Sequence, residues 1–412
     1  MKEIRLGIAE ASSAAAIQQA IDALGSAGGR VVLPAREITL DRGLQLRSRV
    51  ELVGQGAGTL LRHAPGRVYP LSGYHNYGMC DVPLLYTDGL QPGMTVAIRD
   101  NRNRGFFETF ARITWIDGNW VGLDHGIEAD YLADQEPVLV TSFPLIYGLD
   151  VAEVAVRDLR LDGNRDVQPA GILACRGAAV YFIRSHHIEV SDVDESGFYG
   201  EGLGFQMCHH VTIRRCRFAR NLGNGFHPGA GSTAALFADC VAEENALAGF
   251  FFCVRANHIT VRDCAFRRNT VAGISIGTRD CHNLIADCQM ADNLGPGVLV
   301  RGTARPVEVH SIHITRCRIT GNAHDTGRAQ VDILGSAHDI ILQGNRIAGE
   351  PEQERAGVFV APTAHNVWLE DNEIAQSFPA VIADNASLAT ERPAFAAGMD
   401  TAEPIHLRHL PV

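Results

Sequence analysis

The sequence predicts an all-β coil of stacked turns, a parallel β-helix of about ten coils, and three observations carry that prediction. Gly202, Gly225, Gly249, Gly273 and Gly297 recur at intervals of 23, 24, 24 and 24 residues. Around them one text repeats, as RCRFARNLGNG, DCVAEENALAG, DCAFRRNTVAG and DCQMADNLGPG. Within each repeat, apolar and polar residues alternate in short bursts, VTI then CRF, ITV then CAF, with no sustained 3.6-residue period. Such a unit cannot bury its apolar side alone and is stabilised by stacking on its copies.

Taken in order, residues 1–65 read as a capping helix and the first coils. In SSAAAIQQAIDALGSA (12–27), Ser12 or Ser13 caps a helix with Ile17, Ile21 and Leu24 on one face, and Gly28-Gly29 stops it. A coil exposes a raw apolar end, so this helix reads as a lid. Residues 66–144 break the period. GMTVAIRD, ARITWIDGNWVGLD and PVLVTSF alternate like antiparallel hairpins, with DGN as a tight turn, and predict an inserted small β subdomain. Its aromatic segment SGYHNYGMCD either overhangs the main groove or is purely structural. Residues 145–375 form the main coil, and residues 376–412 lose the repeat and read as a cap or tail.

Two columns run through the repeats. Cys216, Cys240, Cys264, Cys288 and Cys317 share one phase, which Asn345 and Asn372 continue. They read as small buried wall residues rather than disulfide or redox cysteines. Five residues later, Asn221, Asn245, Asn269, Asn293 and Asn322 form a second column. Stacked amides at a bend can bond one another and the turn backbone.

Composition narrows the function. The net charge of −11 argues against a nucleic-acid partner, and Lys2 is the sole lysine, so neither a Schiff base nor a lysine base is expected. Arginine supplies the positive charge and suits clamping of carboxylates or sugar hydroxyls. No apolar run approaches transmembrane length, so no membrane partner is expected. The start, MKEIRLGIAEASS, has no signal-peptide pattern, and a cytoplasmic location is expected, with a processed secreted form as the alternative.

AIQQAIDALGSAGGRVVLP, followed by LQLRSRVELVGQGAGTLL, resembles the N-terminal part of the pectate-lyase-like superfamily. That resemblance implies a right-handed parallel β-helix over residues 12–375 and a carbohydrate partner. It includes pectate lyases, polygalacturonases and alginate epimerases. The calcium carboxylates, aspartate motifs and Asp-Pro-His run of those enzymes are not found, and GFHPGAGS only echoes the last. GEGLGFQ, GFHPGAGS, GFFFCVR and GISIGTRD look like a branch of bacterial β-helix proteins without an established activity.

The resemblance implies an active site on one strand face and its adjoining turn, and the pattern here points to the strand after each repeat glycine. Alternation puts Phe226, Phe250, Ile274 and Val298 inside, and His227, Phe251, Ser275 and Leu299 outside, with Gln206, Cys253 and Arg301 two residues on. Arg255 and Arg279 share a turn phase, and Asp280 or an anionic ligand would balance them. The reading assigns Asp280 as acid or base, Glu201 or Asp332 as its partner, and His227 as a positioning or proton-transfer group. Asp194 and Glu195 are a third carboxylate option. Arg255, Arg279, Arg301, Gln206, Phe251 and Ser275 would bind substrate.

His187, His210, His258 and His282 share a turn phase and read as corner residues, because a linear stack does not converge as zinc requires. Asp162, Asn164 and Asp166 alternate like a calcium loop but lack its glutamate, so no metal or cofactor is expected, with calcium at that run as the alternative. The expected function is cleavage or rearrangement of glycosidic bonds by acid/base catalysis. The alternatives are a lyase acting by β-elimination on a uronate glycan, and a non-catalytic glycan-binding or tailspike-like module. A monomer or homotrimer is expected.

Overall fold

The computed structural model describes residues 2–102, 104, 105, 108–169, 173, 174, 177–349, 355–375, 377, 379–393 and 395. Residues 396–412 of the expected C-terminal cap lie outside the described residues. Among the described residues the fold is a parallel β-solenoid with one α-helix and about 14 turns, more than the ten expected. The early turns escape counting because strands as short as Leu44–Gln45 carry almost no pattern. By internal contacts the chain forms two units.

The first unit comprises Met1–Ile183, Asp192–Gly204 and Asn221–Gly223. Ser13 caps its helix, Ala14–Asp22, by accepting from the Ala16 N–H at 3.2 Å. Ala14, Ile17, Ala20, Ile21 and Leu24 are buried. The Gln18 amide donates to the Gln45 carbonyl at 3.0 Å and accepts from the Gln45 N–H at 2.8 Å. The helix therefore covers strand backbone as well as apolar surface. It ends earlier than expected, because Gly25 at φ +61° supplies the left-handed stop. Glu3–Arg5, Gly29–Val32 and Val50–Val53 pair in parallel in that order, and Val50–Val53 pairs with Ala152–Asp162.

Between these coils the unit contains a six-stranded antiparallel sheet. Its order is Val68–Pro70, Val138–Val140, Thr95–Arg99, Thr109–Asp117, Trp120–Leu123 and Asp81–Pro83. Tyr69, Val82, Val96, Ile98, Ile113, Val121 and Leu139 form its core.

The second unit comprises Arg184–Ser191, Phe205–Arg220 and Asn224–Val412. Among its described residues, three-stranded coils repeat from His209–Arg214, Arg217–Ala219 and Phe226–Pro228 to His365–Glu370, Glu373–Ala375 and Val381–Ile382. Each strand pairs in parallel with its counterpart in the next coil, as Val211↔Ala235↔Ile259 and Ile312↔Ile340↔Val367. Among the described residues, no helix is long and apolar enough to cross a membrane.

The asparagine column is a buried amide ladder. Asn269 accepts at Oδ1 from the N–H of Asn245 at 3.1 Å and from its Nδ2 at 3.0 Å. Its own Nδ2 donates to the Ala242 carbonyl at 3.1 Å and to Asn293 Oδ1 at 3.0 Å. Asn293 bonds Asn322 in the same way, and Gln330 closes the ladder. The repeat glycines leave room for these amides. A Cβ on Gly249 would lie 2.8 Å from Asn269 Nδ2, and one on Gly297 would lie 2.8 Å from Asn322 Nδ2.

The cysteine column does related work. The Cys240 thiol donates to the Ala238 carbonyl at 3.2 Å, the Cys288 thiol to Ala286 at 3.1 Å, and Asn345 Nδ2 to Ile314 at 2.9 Å. Burial holds the Cys264 and Cys288 thiols well above the usual thiol pKa, which suits inert wall residues.

Replacing Asn269 with alanine removes the acceptor of the Asn245 N–H and Nδ2 and the side-chain donor to the Ala242 carbonyl in a dry interior. Each such buried group costs about 1–3 kcal/mol. Urea denaturation of Asn269→Ala is expected to show a loss of roughly 3 kcal/mol or more. Thr270→Ala, at the exposed neighbouring position, should stay within about 0.5 kcal/mol of wild type.

Candidate active site

In the second unit, one sheet carries the outward column of interest. Phe226, Phe250, Ile274, Val298, Val331 and Val358 are in register and buried. Their neighbours Phe251, Ser275, Leu299, Asp332 and Phe359 are also in register, on the opposite face. Coil spacing of about 4.8 Å puts Phe251 and Phe359 roughly 19 Å apart along it.

Arg301 organises one end of this face. Its guanidinium carbon lies 4.2 Å from the centroid of the Phe251 ring. Nη1 donates to Ser275 Oγ at 2.6 Å, and Nη2 donates to the Phe252 carbonyl at 2.8 Å. Nη2 also lies 3.8 Å from Asp280 Oδ2. The arginine can lie flat because Gly277 has no side chain: a Cβ there would sit 1.9 Å from Nη2. The His227 ring meets Phe251 edge-on at 5.1 Å and fixes that ring from the other side. Gln206 repeats the device, folded over Gly229 with a Cβ–Nε2 approach of 2.1 Å.

Two expectations are corrected here. Asp280 is fully buried, its Oδ1 accepting from the Ala256 N–H at 2.9 Å and its Oδ2 from the Gly277 N–H at 2.7 Å. It holds the turn instead of facing an open groove as acid or base. Burial pushes its pKa well up, against those two bonds and the charge of Arg301. Arg301, rather than Arg255 or Arg279, is its cationic neighbour. Arg255 and Arg279 adopt φ +61° and +57°, which turns both side chains out to solvent. Neither has an ion-pair partner among the described residues. His227 keeps its predicted phase but is only 3% exposed, covered by its neighbours rather than open to solvent.

Asp332 is placed differently. Its Oδ2 accepts from the Arg328 N–H at 3.0 Å, while Oδ1, though buried, has no hydrogen-bond partner among the described residues. Burial raises its pKa, opposed by backbone bonds from Arg328 and Ala329 and by the charges of Arg328 and Arg355. The Arg328 guanidinium lies 4.5 Å from the Phe359 centroid, and Arg355 donates to the Gly327 carbonyl at 2.9 Å. The column therefore carries two arginine-on-phenylalanine platforms, one at each end, with Asp332 beside the second. Arg328, Arg355 and Phe359 were not anticipated from the sequence. Phe359 shares the phase of Phe251, but the longer coils after Val300 hide that match from counting.

Glu201 belongs to the first unit. It is buried, its N–H donates to the Gly177 carbonyl at 2.7 Å, and Gly223 leaves room for its carboxyl group. Glu195 accepts from Asn221 Nδ2 at 2.9 Å, and Asp194 is half-buried, 3.9 Å from Arg160. Asp162 pairs with Arg62 at 2.9 Å and accepts from the Asn164 N–H at 2.8 Å, and Asn164 Nδ2 reaches the His63 carbonyl at 2.9 Å. These groups hold a turn. The same unit buries Arg99, Glu108 and Tyr199, whose phenol is pushed well up by burial and the Glu108 charge. That trio was also not anticipated.

The family model described as a right-handed beta helix region matches residues 146–266 and 178–374. No curated protein matches the sequence significantly. Among solved structures, the A-module of the Azotobacter vinelandii mannuronan C-5 epimerase AlgE4 is similar, at 16% identity and a TM-score of 0.56, covering 92% of this chain and 95% of that one. The AlgE6 A-module from the same organism is similar at 15% identity and a TM-score of 0.52, covering 92% and 95%. A hyperthermoactive exopolygalacturonase from Thermotoga maritima is similar at 13% identity and a TM-score of 0.54, covering 95% and 93%. These likenesses concern the fold. With the family model matching more than half of the 412 residues, and with parallel coils in register among its described residues, the chain belongs to the right-handed beta helix family.

Proposed function

We propose that the chain is a carbohydrate-active enzyme that binds a uronate-bearing glycan along the outer column of the second unit and acts on it by acid/base chemistry. The observation that carries this reading is the pair of arginine-on-phenylalanine platforms bracketing the column, with a buried, raised carboxyl at Asp332. A guanidinium held flat on a phenyl ring is pre-set to bind a sugar carboxylate or hydroxyls. Two of the structurally similar proteins are named for uronate polymers, mannuronan and polygalacturonate, which supports the substrate class.

Burial favours the protonated form of Asp332, so its role is proton donation to the departing glycosidic oxygen. Arg301, with Ser275 and Phe251, binds the sugar, and His227 keeps Phe251 in place. Gln206 lines the same face. Asp280 serves by orienting the turn under Arg301, and Arg255 and Arg279 lie outside the binding set. Glycosidic cleavage is the first reading. Elimination across the uronate is the second, favoured by the partly buried guanidinium of Arg301, which can neutralise a substrate carboxylate.

Incubation with polygalacturonate, polymannuronate and their oligosaccharides tests the reading. New reducing ends without ultraviolet absorbance support hydrolysis, and reducing ends with the absorbance of an unsaturated uronate support elimination. Binding with no turnover of any glycan would support a non-catalytic module instead.

Asp332→Asn is expected to lower kcat by about 10²- to 10⁴-fold with an unchanged unfolding midpoint. In wild type, kcat should fall as pH rises through the raised Asp332 pKa, because the active form carries the proton. A pH–rate profile flat across that limb would remove Asp332 from the role.

Arg301→Ala is expected to raise KM by about 10- to 100-fold, since hydrogen bonds to charged groups contribute about 1.5–3 kcal/mol. Gly277→Ala should reproduce part of that loss with the charge retained, by pushing the guanidinium off Phe251. Steady-state kinetics of both variants, with unfolding midpoints as controls, check this.

A further inference from the structure

A turn edge of the second unit carries an unusual run of imidazoles. His258 stacks on His282 at 5.0 Å, His282 meets His310 edge-on at 5.4 Å, and His310, His338 and His365 continue at 5.1 and 5.0 Å. Cys281 is in register with His310, which is in register with His338 and His365. A regular strand would send Cys281 and His282 to opposite faces. His282 instead adopts φ +56°, and such a left-handed residue re-aims its side chain as a bulge does. His258 and Ser311 occupy the same position at +54° and +56°.

The consequence is convergence rather than a straight stack. One ligand atom each from Cys281, His282 and His310 lies within 4.8 Å of the other two. Tetrahedral coordination at about 2.0–2.3 Å requires ligand atoms roughly 3.3–3.7 Å apart, within reach of small side-chain rotations. The column expected from the sequence comprises only His187, His210, His258 and His282, and this group joins one of them to Cys281 and His310.

We propose that Cys281, His282 and His310 form a binding site for a borderline-soft divalent cation of the zinc class, tying two adjacent coils together. The supporting chemistry is local. His282 Nδ1 is buried with no hydrogen-bond partner among the described residues. His310 Nδ1 lies 3.1 Å from Ser311 Oγ, which orients the ring and leaves Nε2 for the metal. The Cys281 thiol lies 3.2 Å from Asn257 Oδ1, an acceptor for its proton until a cation displaces it. Three protein ligands leave a fourth position for solvent, as in open zinc sites. Imidazole nitrogen with thiolate sulfur selects zinc, or cobalt as its spectroscopic substitute, over calcium or magnesium.

The test is titration of the reduced, full-length protein with cobalt(II) alone, followed by zinc competition. One equivalent should bind with visible bands of tetrahedral cobalt and a near-ultraviolet thiolate-to-cobalt band, and zinc should abolish both. Cys281→Ser should remove the thiolate band and weaken zinc binding at least tenfold, with an unchanged metal-free unfolding midpoint. His310→Gln should weaken binding similarly, and provides a second reading where the serine variant folds poorly. Absence of stoichiometric binding overturns the proposal. So does a thiolate band that survives Cys281→Ser, because it would place the cation on another cysteine.

Discussion

The structure of the second unit depends on a buried column of amides. Asn245, Asn269 and Asn293 each donate a hydrogen bond to the asparagine of the next coil while satisfying a carbonyl of the coil before, and Gln330 caps the last of the column, Asn322. Leaving such groups unmade in a dry interior costs about 1–3 kcal/mol each, so the column resists any slip in register. A one-residue slip would also move every apolar side chain to the wrong face. The repeat glycines serve the same end by close approach, not by special φ angles.

Strict register is what makes an outer face useful. Residues 24 to 33 positions apart in sequence become neighbours about 4.8 Å apart, and long side chains can lie across the coil beside them. Gly277 beneath Arg301 and Gly229 beneath Gln206 turn that freedom into a flat, pre-set arrangement. A guanidinium so held loses little freedom when it binds a substrate. Asp280 illustrates the cost of the design: a buried carboxyl is spent on two backbone N–H groups so that the turn under Arg301 holds its shape.

Much of the fold was legible because periodicity is a direct image of stacking. The glycine, cysteine and asparagine phases, and a helix cap at Ser12 or Ser13, were readable as residues with a packing role. The site was only partly legible, for three physical reasons. Left-handed residues such as Arg279 and His282 break strand alternation, which sends one side chain to solvent and brings the other toward Cys281 and His310. The coils lengthen after Val300, so the phase shared by Phe251, Asp332 and Phe359 is invisible to a fixed count. And a turn carboxylate can point either way: Asp280 looked like a groove residue and is a backbone clamp.

The central claim is that the outer column of the second unit is where a glycan sits. The most direct measurement is a crystal structure of the Asp332→Asn variant soaked with a uronate oligosaccharide. The account predicts a uronate carboxylate against Arg301 or Arg328, and a glycosidic oxygen beside residue 332. Sugar density bound on another surface, with this column bare, would contradict it.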